Sequence, residues 1–335
     1  MKVMLPSVLI AGATGITFAL LDFGVWALVW MMIAQQLFAS IQFWFHSKWR
    51  PLWVFDISRF KYHFDYGYKM TLASIINALF SNLYHLVIGK YFSIAQLGFY
   101  TKADQLKQIP VKNISNTLAK VTFPMFSEIQ DDDERLKVVY KKVIQQVLFW
   151  LTPVMVLAAV LAEPTFRIVL TEKWLSAVPY FQMLCFIGLM YPVHSYNLNI
   201  LKVKGRSDLF LKLEIAKKSL TVIGIVIALP FGIFALLWTQ IILNLVSFVI
   251  NSHFSGKFID YNLLSQLKDI IPIFLMGTAS AGAAWFVKDL IVDVPAVDYL
   301  QIVSGALIGL LVYFLISWGS KSEPLLDFRK IILKK

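Results

Sequence analysis

Residues Ile94 to Gln130 read IAQLGFYTKADQLKQIPVKNISNTLAKVTFPMFSEIQ, and they are flanked on both sides by strongly apolar segments. Ser93 with Gln96 three positions on predicts a capping box at the start of a helix. Pro124 disfavours helical geometry at Phe123 and predicts its stop. Between these limits lie Lys102, Asp104, Lys107 and Lys112, with Thr101, Gln105, Gln108, Asn113, Ser115 and Asn116. At about 100° per residue, Lys102, Gln105, Lys112, Asn113, Asn116 and Lys120 share one face. A charge at the bilayer centre costs roughly 2.5–3.5 kcal/mol on insertion scales, so this face is expected to avoid lipid and line a wet cavity. The helix then reads as one wall of a substrate pathway.

Composition sets the surroundings of that helix. Of 335 residues, 58% are apolar and 15% charged, against about 25% charged in soluble domains. With a mean hydropathy of +0.68, the class is an all-α polytopic membrane protein. Lys and Arg exceed Asp and Glu by 11; on a soluble chain this excess would suggest a nucleic-acid partner, which is not expected here. Cys185 is the single cysteine, so an intramolecular disulfide and a cysteine metal cluster are excluded. No His-Glu-x-x-His, Gly-x-Ser-x-Gly or Walker loop is present, so no cofactor and no enzymatic chemistry are expected.

About ten transmembrane helices are predicted, at roughly 20 residues each. The windows are Leu5–Leu20, Val25–Phe45, Tyr66–Ile88, Ile94–Val121, Val143–Ala162, Val178–Leu201, Leu213–Leu229, Ile233–Ser252, Ile270–Val287 and Tyr299–Trp318. Alternate connecting segments hold 21 and 4 Lys or Arg respectively, and this bias places both termini in the cytoplasm. Trp44, Trp49, Trp53, Trp150 and Trp318 fall near the expected membrane boundaries, and Trp174 falls on an outside loop. Asp131–Glu134 reads as a solvated cytoplasmic turn.

Other polar positions fall inside spans. Ser74, Asn77, Ser81, Tyr84 and His85 form a stripe on the third, either facing the same cavity as the lysines or joining helices by hydrogen bonds. Lys69 lies one turn inside that span and is placed to snorkel or to meet substrate. Pro192, His194, Asn197 and Asn199 cluster in the sixth span, with His194 read first as a packed, hydrogen-bonded side chain. Glu214, Lys217 and Lys218 are spaced to interact on one helix face and to reach the cytoplasmic surface. Lys107 stands near the middle of its span with Asp104 three residues away.

Several motifs carry a resemblance: Phe23–Val29 (FGVWALV), Trp49-Arg50-Pro51, Gly98–Gln105 (GFYTKADQ), Phe123-Pro124-x-Phe126-Ser127 and Gly205–Leu213 (GRSDLFLKL). Together they resemble the polysaccharide transporter branch of the multidrug/oligosaccharidyl-lipid/polysaccharide flippase superfamily. The similarity is closest to Wzx-type flippases of O-antigen, colanic acid and other exopolysaccharides. The resemblance implies part of a two-lobed, MATE-like fold lacking about the first four helices. Residues 1–65 would be the last two helices of the first lobe and a linker, 66–252 the six-helix second lobe, and 253–335 two additional helices and a tail.

The implied activity is export of undecaprenyl-diphosphate-linked oligosaccharide across the bacterial inner membrane. Lys102, Lys107, Lys112, Asn113, Asn116, Asn77 and Lys69 are then the expected substrate-binding residues. Asp104, His85 and His194 are the expected ion-coupling residues. The implied partners are the lipid-linked oligosaccharide, membrane lipid, a polysaccharide polymerase and chain-length proteins. Competing readings are a multidrug exporter, a polytopic polymerase or ligase, and an inactive remnant or structural partner. A cation exporter would line its lumen with carboxylates. A polymerase would use a large outside loop with Arg and His, whereas the outside segments here contain no His.

Overall fold

The computed structural model describes residues 3–48, 50, 54–291 and 297–333, with side chains for all of these except 116–121 and 331–333. Trp49, Pro51 and Trp53 therefore lie outside the described residues, as does the side chain of Asn116. The chain divides into two compact units, Met1–Phe60 and Lys61–Lys335. Among the described residues, seven helical segments are long and apolar enough to cross a membrane. This is a multi-pass membrane protein.

The first unit is a helical hairpin of α1 (Met4–Leu20) and α2 (Trp26–His46). Its turn uses Asp22 and Gly24 at φ of 58° and 53°. Small residues let the backbones approach: Ala11 and Ala27 are buried, and Gly15 lies against Met31. Gln42 donates to the buried Ser7 hydroxyl at 3.2 Å, a polar contact that apolar surroundings favour.

The second unit begins at Lys61, one turn into α3 (Ile57–Ser81), and continues with α4 (Leu83–Tyr91) and α5 (Ile94–Glu128). It goes on with α6 (Asp133–Val160), α7 (Ala162–Leu170), α8 (Val178–Val203), α9 (Ser207–Ala228) and α10 (Ile233–Gly256). The last helices are α11 (Leu263–Leu290), α12 (Val297–Gly319) and α13 (Glu323–Leu333). In α8, 17 of 26 residues are buried, whereas in α3 only Ala73 is. A helix buried on most sides is a central post, and α5, α6, α9 and α10 pack around α8.

Two apolar clusters fill the bundle. One joins Tyr100, Val111, Met155, Phe181, Leu184 and Leu236; the other joins Phe126, Tyr140, Ile144, Tyr196, Ile270 and Tyr313. Helices α11 and α12 pack on α6 through glycines: Gly277 meets Thr152, and Gly305 and Gly309 meet Leu161 and Leu157. In the second cluster Asn197 is a buried polar hub. Its carbonyl accepts from Tyr140 at 2.8 Å and from Ser255, while its amide donates to Ser252 at 3.3 Å and Gln266 at 3.2 Å. Four helices are thereby tied at one point, and every member of the set is satisfied.

Local chemistry explains the connections. The predicted capping box at Ser93 and Gln96 is present. Asp132 caps α6 by accepting from the Arg135 amide at 2.9 Å, so the acidic run is a helix start. Gly205 turns the chain at φ of 69°, and Arg206 grips Asp208 with two hydrogen bonds of 2.9 Å. That guanidinium holds the Asp208 carboxyl well below the usual carboxylate range.

Two expectations are corrected. Helix α5 does not stop at Pro124 but runs to Glu128, through Pro110 as well. Phe126 and Ile129 beyond the proline are buried against Tyr140 and Tyr196. Burial worth about 1.5–3 kcal/mol per large side chain offsets the roughly 3 kcal/mol of a mid-helix proline. The third window is not one helix: it breaks at Asn82, at φ −107° and ψ 8°. Ser81 there bonds back to the Ala78 carbonyl at 2.7 Å, a local alternative that competes with helix continuation.

Candidate functional site

The break at Asn82 sets α4 beside α5, and with the end of α3, α9 and α10 they line an open cavity of about 310 Å³. Its charged groups are Asp104 and Lys107 from α5 and Lys218 from α9. Tyr84, His85, Tyr100, Gln108, Gln240 and Asn244 supply most of the remaining polar lining. Lys107 Nζ lies 2.6 Å from Asp104 Oδ1, and both side chains are about nine-tenths buried, at 12% and 11% exposure. Gln108 donates to the other carboxylate oxygen. The His85 ring meets Tyr100 edge-on at 5.0 Å. His85 Nδ1 and Gln240 Oε1 are buried with no protein partner among the described residues, so each has hydrogen-bonding capacity left over.

A second carboxylate stands behind the cavity. Glu214 is buried, with Lys217 Nζ 2.5 Å from one oxygen and Lys218 Nζ 4.0 Å from the other. The sequence reading that sent this trio to the cytoplasmic surface is therefore corrected. Helix α9 packs on both α8 and α10; Glu214 is buried and Lys218 stands at the cavity wall. Three lysines face two carboxylates around this space, so the site is net cationic.

The side of α5 predicted to carry Lys102, Gln105, Lys112 and Asn113 is distinct from the side that carries Asp104 and Lys107. Asp104 and Lys107 point into the bundle, on the side that buries Tyr100, Ala103 and Val111. Gln105, Lys112 and Asn113 lie on the opposite, exposed side. Lys102 is half-buried at the edge of that side, its ammonium 5.9 Å from the Trp174 ring centre, in a depression of about 440 Å³ with Thr101 and Gln105. Lys69 is paired with Asp65 at 2.5 Å, and neither it nor Asn77 lines the cavity. His194 is held between Asn244 Oδ1 at 3.0 Å and Asn251 Nδ2 at 3.3 Å. Asn251 donates to Nδ1, so Nε2 carries the proton that Asn244 accepts.

The contribution of α10 went unread in the sequence. Gln240, Asn244, Ser247 and Asn251 recur at spacings of four, three and four within an apolar helix, a polar stripe that helical periodicity makes visible. Gly188 of α8 is what lets α5 approach. A side-chain Cβ there would meet Val111 Cγ2 at 2.9 Å and Lys107 Cδ at 3.0 Å. Gly188→Leu is expected to push Lys107 from Asp104 and to destabilise the fold by about 1–3 kcal/mol. Gly188→Ala, whose Cβ meets side-chain rather than backbone atoms, is smaller than leucine and is expected to cost less; thermal unfolding in detergent measures both.

Over 266 residues the chain is 26% identical to the teichuronic acid biosynthesis protein TuaB of Bacillus subtilis, covering 78% of this chain and 55% of TuaB. It is 31% identical over 179 residues to the lipopolysaccharide biosynthesis protein WzxC of Escherichia coli, covering 53% of this chain and 36% of WzxC. The chain thus spans about half or less of the length of these relatives. Its fold is similar to that of the lipid II flippase MurJ in an inward closed conformation, with a TM-score of 0.62 at 16% identity, over 97% of this chain and 67% of MurJ. A family model described as "Polysaccharide biosynthesis protein" matches residues 1–179, more than half of the chain, and the chain belongs to that family.

Proposed function

We propose that this chain works as part of a flippase that carries undecaprenyl-diphosphate-linked oligosaccharide across the bacterial inner membrane for polysaccharide biosynthesis. The observation that carries the reading is the two-sided helix α5. One side presents Lys112 and Asn113 in the open, with Lys102 at its edge, and the other holds Asp104 and Lys107 in a cationic cavity. An exposed cationic face among apolar helices is stable only against water, protein or an anionic cargo. A diphosphate is such a cargo, and lysines offer it compact point charges.

The chain binds and moves the lipid-linked sugar without chemistry of its own. The prenyl tail stays in lipid while the headgroup passes the polar face, and rocking of the helical lobes gives alternating access. Asp104 and His85 are the ion-coupling groups, because both line the inner cavity and His85 Nδ1 has no partner among the described residues. His194 acts differently, as the group that orients Asn244. Asn116, Asn77 and Lys69 belong to the cargo path through their places on α5 and α3. A polymerase and chain-length proteins take up the exported unit. Three lysines against two carboxylates favour this anionic cargo over the cationic drugs of a multidrug exporter.

The test is transport. Expressed from its natural gene in a flippase-deficient strain, the protein should expose lipid-linked oligosaccharide to an impermeant glycosidase on the outer face. Oligosaccharide confined to the cytoplasmic leaflet would overturn the reading. Orientation is tested separately. A cysteine placed in 163–177 should react with an impermeant thiol reagent in intact cells, and one placed in 202–212 should be protected. The reverse pattern would invert the assigned topology.

A further inference from the structure

A second cavity, of about 510 Å³, lies between α11, α12 and the turn into α13. Its wall is apolar, built from Leu275, Met276, Ala279 and Ile316, and its mouth carries Lys268, Asp269, Lys321 and Glu323. The two carboxylates are already engaged. Asp269 Oδ1 lies 3.0 Å from Lys141 Nζ, Asp269 Oδ2 accepts from the Tyr261 hydroxyl, and Glu323 is 3.4 Å from the same lysine. Burial and the neighbouring Asp269 push the Tyr261 hydroxyl up, so it stays a donor. Lys268 and Lys321 are exposed and have no carboxylate partner among the described residues.

Two cations without counter-ions therefore stand over an apolar wall, and they do so at helix ends. Lys268 lies in the second turn of α11, and Lys321 lies two residues past the end of α12. Lysines at the ends of membrane helices sit at headgroup depth. Lys321 is held at φ of 50°, a conformation uncommon for residues other than glycine. The Ser320 amide bonds to the Ile316 carbonyl at 2.9 Å and the Ser322 amide to the Ser317 carbonyl at 3.0 Å, so the turn that carries this lysine is fixed.

We propose that this cleft binds one anionic glycerophospholipid, its phosphate between Lys268 and Lys321 and an acyl chain along Leu275, Ala279 and Ile316. A free phosphate would leave the apolar wall uncovered. A zwitterionic lipid would bring an ammonium against two lysines. The assignment to the cytoplasmic leaflet rests on the topology proposed above; binding itself does not depend on it.

The experiment titrates the detergent-solubilised protein with short-chain phosphatidylglycerol and phosphatidylcholine and counts bound lipid by native mass spectrometry. Two lysines at the headgroup should give phosphatidylglycerol about a 30-fold advantage. Lys268→Gln with Lys321→Asn should abolish that advantage, asparagine being tolerant of the positive φ. Ile316→Trp, which fills the wall, should weaken both lipids. Equal affinities, an advantage that survives the double substitution, or an unchanged Ile316→Trp protein would each overturn the proposal. Glycerol phosphate competing as well as phosphatidylglycerol would mean a soluble anion site. Undecaprenyl diphosphate outcompeting phosphatidylglycerol would place the cleft on the cargo's path. Both results would overturn it too. A failed lipid titration with transport intact leaves the flippase reading standing.

Discussion

Replacing Asp104 by Leu is expected to destabilise the protein by about 3–5 kcal/mol, the usual cost of leaving one member of a buried ion pair uncompensated. The pair is close, 2.6 Å between Lys107 Nζ and Asp104 Oδ1, with both side chains about nine-tenths buried. Asp104→Leu strands the Lys107 ammonium and also removes the acceptor of Gln108. The double variant Asp104→Leu/Lys107→Met should recover most of the loss, because an apolar pair of similar volume removes the desolvation penalty as well as the attraction. Unfolding in detergent reads this part. Export reads the other: if Asp104 and Lys107 belong to the transport path, the double variant folds normally and exports poorly. Full export from a stable double variant would make the pair a packing device and move ion coupling to other groups.

The exposed side of α5 gives the second large effect. Lys112 is exposed on the side opposite the Asp104–Lys107 pair, so its removal strands no buried charge. Lys112→Ala should therefore leave insertion and stability unchanged and reduce export. Lys112→Glu replaces attraction by repulsion. At an effective dielectric constant of about 20, a unit charge at roughly 6 Å contributes about 3 kcal/mol, so export should fall by about 100-fold or more. Lys112→Arg should restore part of it, since the charge returns on a planar fork rather than a point. Surface polysaccharide at matched protein levels is the measurement. Undiminished export from Lys112→Glu would assign this face to contact with protein and remove it from the cargo path.

These two expectations separate what could be read from the chain from what could not. Apolar windows between charged segments were enough for an all-helical, multi-pass protein, because lipid forces each crossing segment to satisfy its own backbone hydrogen bonds. The capping box at Ser93 and the turn at Gly205-Arg206-Ser207-Asp208 were legible because both are made within a few residues of chain. The unusual polarity of α5 was legible for the same reason, since periodicity alone places Lys102, Gln105 and Lys112 together. Only the tertiary structure decided which of its charges face inward. That choice depends on α8, where Gly188 lets Val111 and Lys107 approach, and no pattern within α5 records it. Glu214 and Lys218 were misplaced because the burial of the first and the cavity position of the second are set by neighbouring helices, and the break at Asn82 was missed because Ser81 and Asn82 resemble any polar pair on a membrane helix. Helix α5 passed Pro124 for a non-local reason as well: Phe126 finds Tyr140 and Tyr196 only once α6 and α8 have packed beside it. Local hydrogen bonding and periodicity are written in the chain, whereas the partner of a buried charge is set by helices that meet only in the folded protein.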